Sequence, residues 1–120
     1  MSDRLPVTVN IADSSATKWV EHARFPGIYV RKLLTSQDNP LANVNEVLVP
    51  PGGLIGNHGH PKQVETVYVL AGESLLTIGE EEFSFHAGHV VAIPMGIEHT
   101  LENVGAGEVH LLTIFTPPIL

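Results

Sequence analysis

The sequence predicts an all-β protein, a sandwich or a closed barrel, and three observations carry that expectation. Eleven glycines and nine prolines are spread along the 120 residues instead of being pooled in a linker. Between them lie short runs rich in Val, Ile, Leu, Thr and Phe, the punctuation expected of β-strands. The helical stretches that parallel βαβ crossovers need are missing. Closing many short strands on one another also removes the exposed edges that invite aggregation.

The first 26 residues read as an N-terminal arm. Within it Ser14–Ala23 has room for a turn or two of helix, with Asp13 or Ser14 as N-cap, but it carries no long apolar stripe at helical spacing. Strands are expected over Gly27–Leu34, Val44–Val49, Gly56–His60, Val64–Leu70, Ser74–Gly79, Glu82–His86, Val90–Ile93, Glu98–Asn103 and Glu108–Phe115. Glu80, Glu81 and Glu82 follow Gly79 and read as a solvated hairpin tip. The stretch Val109 to Phe115 is apolar on both faces, which implies a second layer or a partner subunit against it. A single domain over residues 1–120 is expected.

Composition removes several functional classes. With 43% apolar and 16% charged residues, disorder is not expected. A formal charge of −7 offers no basic face for nucleic acid. Cysteine is absent, which excludes disulfides, Cys-ligated zinc, iron–sulfur clusters and a thiolate nucleophile. Any metal must use His and carboxylate ligands. Asp3, Arg4 and Pro6 stand where a signal peptide needs an apolar run, and no run approaches the roughly 18–20 residues of a membrane span. A cytoplasmic protein that binds neither nucleic acid nor membrane is the expectation. Nucleophile elbows, phosphate loops and dinucleotide fingerprints are missing too.

Seven histidines in 120 residues prove little by number; their spacing is informative. His58 and His60 are one residue apart, so in an extended segment both leave the same face, about 7 Å apart at the backbone. Alone they are better read as two unrelated strand histidines. Glu65 shares a face with Val67 and Val69; if that face looks inward, an unpaired carboxylate there costs several kcal/mol, and a cation between it and the histidines removes the penalty. His99, after a turn favoured by Pro94 and Gly96, is a fourth candidate. Three imidazoles and one carboxylate would leave coordination positions open for water, dioxygen or substrate.

Two longer patterns contain these residues. The first runs Gly52, five residues, His58, one residue, His60, four residues, Glu65, six residues, Gly72. The second runs Gly88, five residues, Pro94, one residue, Gly96, two residues, His99, three residues, Asn103. Together they span 37 of the 120 residues, with 15 between them. In these positions the chain resembles the cupin superfamily, with both defining motifs complete and the short intermotif spacing of small single-domain bacterial members. The resemblance implies a double-stranded β-helix, that is, a jelly-roll barrel. It also implies one divalent transition metal ion held by His58, His60, Glu65 and His99, and a homodimer. Fe, Mn, Ni, Cu, Co and Zn all suit such ligands. Gly52, Gly72, Gly88 and Gly96 are expected at turns needing positive φ, Pro94 at a strand entry, and Asn103 as a structural tie of the barrel wall.

Other polar residues carry weaker expectations. Glu98 points away from His99 and reads as solvated, while His22, His86 and His89 read as surface or turn residues. His110 shares parity with Leu112 and Ile114, which leaves it a possible lumen residue beside the metal. Tyr29 and Arg31 share a strand face and are candidates for an anionic substrate. Phe83 and Phe85 read as barrel packing. The functional expectation is a metal-dependent oxidoreductase of dioxygenase type acting on a small apolar or aromatic molecule, with Glu65 as ligand and proton-exchanging group. The alternatives are a redox-neutral isomerase or lyase, or a non-catalytic small-molecule-binding protein. Sugar-phosphate chemistry is disfavoured by six scattered basic residues, and an attached DNA-binding domain is not expected.

Overall fold

The computed structural model describes residues 9–120. Ten strands form two antiparallel sheets. They are β1 (Val20–Glu21), β2 (Tyr29–Leu34), β3 (Asn43–Val49), β4 (Leu54–His58), β5 (Val64–Ala71), β6 (Glu73–Ile78), β7 (Glu81–His86), β8 (Val90–Ile93), β9 (His99–Asn103) and β10 (Val109–Thr116). The six-stranded sheet has the order β1-β2-β3-β10-β5-β8 and the four-stranded sheet β4-β9-β6-β7. The fold is all-β, a double-stranded β-helix as expected. Among the described residues no helix is long and apolar enough to cross a membrane.

Strand alternation places the core between the sheets. Asn43, Asn45, Val47 and Val49 of β3, Glu65, Val67 and Val69 of β5, and Val109, Leu111, Thr113 and Phe115 of β10 are buried. They meet His99 and Leu101 of β9, Leu76 of β6 and Phe85 of β7, all buried too. The register sets Glu65 opposite both Phe115 and Ile93, and Thr113 opposite both Val67 and Asn45. Polar residues are therefore stacked at one end of an otherwise apolar interior.

All four motif glycines have positive φ. Gly72 is the most constrained: its φ is +97°, and a Cβ there would stand 2.8 Å from Val109 Cα. Here the chain leaves the large sheet at β5 and enters the small one at β6, a sharp crossing open only to a residue without a side chain. Asn103 ties the wall as expected. Its Nδ2 donates to the carbonyls of Val49 and Gly107 at 3.0 and 2.8 Å, and its Oδ1 accepts from the Gly105 amide at 2.9 Å. Pro94 follows β8 and opens the turn into β9.

Several expectations need correction. The helix over Ser14–Ala23 shrinks to one 3₁₀ turn, Ser14–Ala16, capped by Asp13 through the Ser15 amide, and Val20–Glu21 is strand instead. Without an apolar stripe the segment gains nothing from helix packing and pairs with β2. Residues 1–8 of the expected arm lie outside the described residues. His110 points away from the lumen: on the outer face of the large sheet its Nε2 meets Glu46 Oε2. The reason is parity, since the alternate residues Val109, Leu111 and Thr113 take the inner face. Arg31 lies on the same outer face. It contacts Glu46 at 3.3 Å, donates to the Ser14 carbonyl at 2.6 Å and stacks on Trp19, so Tyr29 and Arg31 do not line the lumen. Of the two phenylalanines, Phe85 packs in the core and Phe83 is 43% exposed.

Candidate metal centre

Three strands and one loop deliver the four candidate residues. His58 ends β4, His60 lies just beyond it, Glu65 is the second residue of β5, and His99 opens β9. The strand expected over Gly56–His60 stops at His58, with a register irregularity between Ile55 and His58. Pro61 ends regular pairing here. His60 is instead positioned by its carbonyl, which accepts a hydrogen bond from the Gly96 amide at 2.9 Å. That bond joins the loop of the first motif to the turn of the second. His58 and His99 pair directly across β4 and β9, with ring centroids 4.2 Å apart, and the His60 ring lies 5.0 Å from His58 and 5.5 Å from His99.

The rings are oriented by their own backbones. His58 Nδ1 donates to the Gly56 carbonyl at 2.7 Å and His99 Nδ1 to the Ile97 carbonyl at 3.0 Å. Each bond fixes the proton on Nδ1 and turns Nε2 towards the centre. Glu65 Oε1 stands 3.0 Å from His99 Nε2 and 3.5 Å from His60 Nε2. The buried His60 Nε2 has no hydrogen-bond partner among the described residues. One ligand atom from each of the four residues lies within 4.8 Å of the others, a group that could hold a metal ion. The donor set fits a borderline divalent ion: three imidazole nitrogens and a carboxylate oxygen, with an otherwise orphaned nitrogen among them.

The electrostatics agree. Burial alone would raise the Glu65 carboxyl, but the His60 and His99 imidazoles facing it win and hold it at about 2. Burial pushes His58 down, towards the neutral form a ligand needs. His99 is raised: burial opposes its charge, but the Glu65 carboxylate and the Ile97 carbonyl outweigh it. A proton between His99 and Glu65 thus occupies a place suited to a cation.

A cavity of about 50 Å³ adjoins His58, Glu65 and His99, and its remaining wall is apolar except for Thr113. Phe115 stands edge-on to His60, centroids 4.8 Å apart, and Phe25 lies 5.3 Å from His58. Neither phenylalanine was singled out by motif or spacing. Phe25 comes from the arm, where nothing in the sequence marks it as a lumen residue, whereas Phe115 shares parity with Leu111 and Thr113. Glu98 is exposed and accepts from Asn57 Nδ2 at 2.6 Å, His86 and His89 are exposed, and half-buried His22 accepts backbone amides of the following turn. The structure thus brings together the four motif residues and keeps the other polar candidates apart from them.

A two-sheet β-barrel carrying a His₃Glu cluster at one end of its lumen defines a class, and sequence comparison agrees. The family profile described as Cupin domain matches residues 45–115, and the chain belongs to that family. It is 27% identical to the uncharacterized protein MJ1618 of Methanocaldococcus jannaschii over 93% of its own length and 91% of that protein's. It is 35% identical to the mannose-1-phosphate guanylyltransferase of Escherichia coli over 62% of its own length, a match spanning only 16% of the enzyme. A crystal structure described as a predicted oxalate decarboxylase of Thermotoga maritima superposes with a TM-score of 0.81. That match has 23% identity and covers 89% of this chain and 98% of that one.

Proposed function

We propose that this cupin is a metal-dependent oxidoreductase of dioxygenase type, with His58, His60, Glu65 and His99 as ligands of one divalent transition metal ion. The observation that carries the reading is the inward Nε2 geometry imposed by the Gly56 and Ile97 carbonyls, with a buried carboxylate facing it. When bound, such an ion supplies Lewis acidity and, for redox-active metals, electron transfer to dioxygen. His58 and His99 present preset lone pairs. Glu65 holds negative charge at the centre and is the candidate proton-exchanging group. The apolar wall excludes bulk water and suits an apolar gas. The cavity beside the ligands is small, about 50 Å³, which favours placing the apolar or aromatic body of a substrate towards the mouth, with its reacting end directed inward.

Elemental analysis of protein purified without added metal is expected to give close to one ion per chain. His58→Ala and Glu65→Ala should each weaken metal affinity by at least the roughly tenfold that follows loss of an orienting partner, and so lower the metal content of the purified protein. Metal content unchanged in both variants overturns the assignment. Protein loaded with iron, manganese, copper or nickel should consume oxygen with a panel of small substrates. Turnover that persists under argon with zinc selects a redox-neutral isomerase or lyase instead, and tight binding without turnover selects a binding protein.

A homodimer is part of the same proposal. On the outer face of the large sheet Tyr68, Leu70 and Val90 are 39%, 43% and 62% exposed, and Tyr68 and Val90 pair directly across β5 and β8. A second copy of this face would cover them.

A further inference from the structure

β4 is an edge strand, with β9 as its one neighbour in the small sheet. Its ladder is interrupted between Ile55 and His58, so regular pairing does not hold Gly56 and Asn57, the residues that lead into His58. The bond that orients the His58 ring goes to the Gly56 carbonyl, inside that interruption. The side chain packed on this stretch comes from the arm. Phe25 is buried, its Cε1 stands 3.4 Å from where a Cβ on Gly56 would be, and its ring lies 5.3 Å from the His58 ring at a tilt of 52°. One phenyl ring thus lies against both the acceptor and the donor of the orienting bond. Phe25 is held in turn by His22, whose Nδ1 accepts the amides of Arg24 and Phe25 at 3.0 and 3.3 Å. Asn and Asp side chains close turns on their following amides in the same way. The His22 amide donates to the Ile28 carbonyl at 2.7 Å, the Ile28 amide to the Phe25 carbonyl at 3.3 Å, and the Gly27 amide to Glu21 Oε2 at 2.9 Å. These bonds fix the angle at which a residue outside any strand enters the core. An accepting Nδ1 must be unprotonated, and burial and Arg24 push His22 down, towards that neutral form.

We propose that Phe25 is a positioning residue for the ligand His58, with His22 as the turn acceptor that sets it, so that the arm tunes the metal centre; this rests on the metal-centre reading above. A ligand already held in its binding rotamer loses less freedom when the ion arrives. Phe25 offers no donor atom, and its influence reaches the ion only through the His58 ring. An aromatic pair of this geometry is worth about two- to tenfold in an equilibrium constant.

The test uses the full chain, first metal-free and then titrated with cobalt(II). In the metal-free wild type the ring-nitrogen NMR shifts of His58 are expected to report a single tautomer, with the proton on Nδ1. In Phe25→Leu, which keeps an apolar side chain but no ring, they should report a mixture. Cobalt affinity, followed by visible absorption, should fall by about two- to tenfold in Phe25→Leu and in His22→Ala. His22→Asn should restore it to within about twofold of the wild type, because its Oδ1 can accept the same two amides. Should Phe25→Leu fail to fold, the two His22 variants decide by the same readouts. A turn that only stabilises the fold would lower the melting temperature and leave the metal site untouched. An unchanged His58 tautomer or an unchanged cobalt affinity in these variants therefore overturns the inference alone, whatever the melting temperature. So does cobalt affinity in His22→Asn no tighter than in His22→Ala. A wild-type chain that takes up no cobalt overturns it together with the metal-centre reading.

Discussion

The centre's side chains are held in place by ordinary backbone groups, and their protonation gives a dependence on pH of definite sign. Glu65 is held at about 2, below its ordinary 4.5. Its contribution to stability is complete above pH 4.5 and disappears as pH falls through 2. His99 is raised above 6.5, so in the metal-free protein its contribution is complete below that value and disappears as pH rises through the folded pKa. A metal ion displaces that proton, so acid opposes binding and alkali favours it. The rise in melting temperature on adding metal is therefore expected to widen between about pH 5 and 8, a trend that scanning calorimetry of metal-free and metal-loaded samples checks. A constant or shrinking difference contradicts the proton-for-metal exchange. The four candidate residues were legible in the sequence because their spacing is rigid. Phe115 was within reach too, since its parity with Leu111 and Thr113 follows once β10 is known to turn that set inward. Phe25 carried no such marker, because its role follows from packing against His58 on a strand distant in sequence.

At the scale of elements, the strands were readable because Gly and Pro bracket them, and the arm was not. A two-residue strand such as Val20–Glu21 leaves no periodic trace, and its conformation comes from pairing with Tyr29 and Val30. The end of β4 was misplaced for a similar reason: what stops it is a register irregularity and the Pro61 turn, and the His-x-His pattern reads the same with or without a strand. The glycines yield a graded prediction. Gly72→Ala meets both a left-handed φ and Val109, and should cost about 3 kcal/mol. Gly79→Ala, at φ +60° with nothing within 4 Å, should cost about 1 kcal/mol. Urea denaturation of the two variants side by side checks the ranking; equal losses would mean that the β5–β6 crossing has slack the structure does not show.

For the molecule as a whole, the apolar character of β10 on both faces pointed to a cover on each side, and the structure accounts for one of them directly. The inner face closes the lumen. Towards the β2–β3 edge the outer face carries Glu46, Arg31 and His110 beneath Trp19 of the arm, and towards β5 and β8 it exposes Tyr68, Leu70 and Val90. Sedimentation equilibrium at micromolar concentration should return a dimer for the wild type and a monomer for Leu70→Lys with its fold intact by circular dichroism. A wild-type monomer removes the partner from the proposal. The Gly96 amide on the His60 carbonyl has a wider consequence. Because this link joins both ligand-bearing loops, opening either one takes a hydrogen bond from the other, so protection from amide exchange at that end of the barrel is expected to be lost in the two loops together.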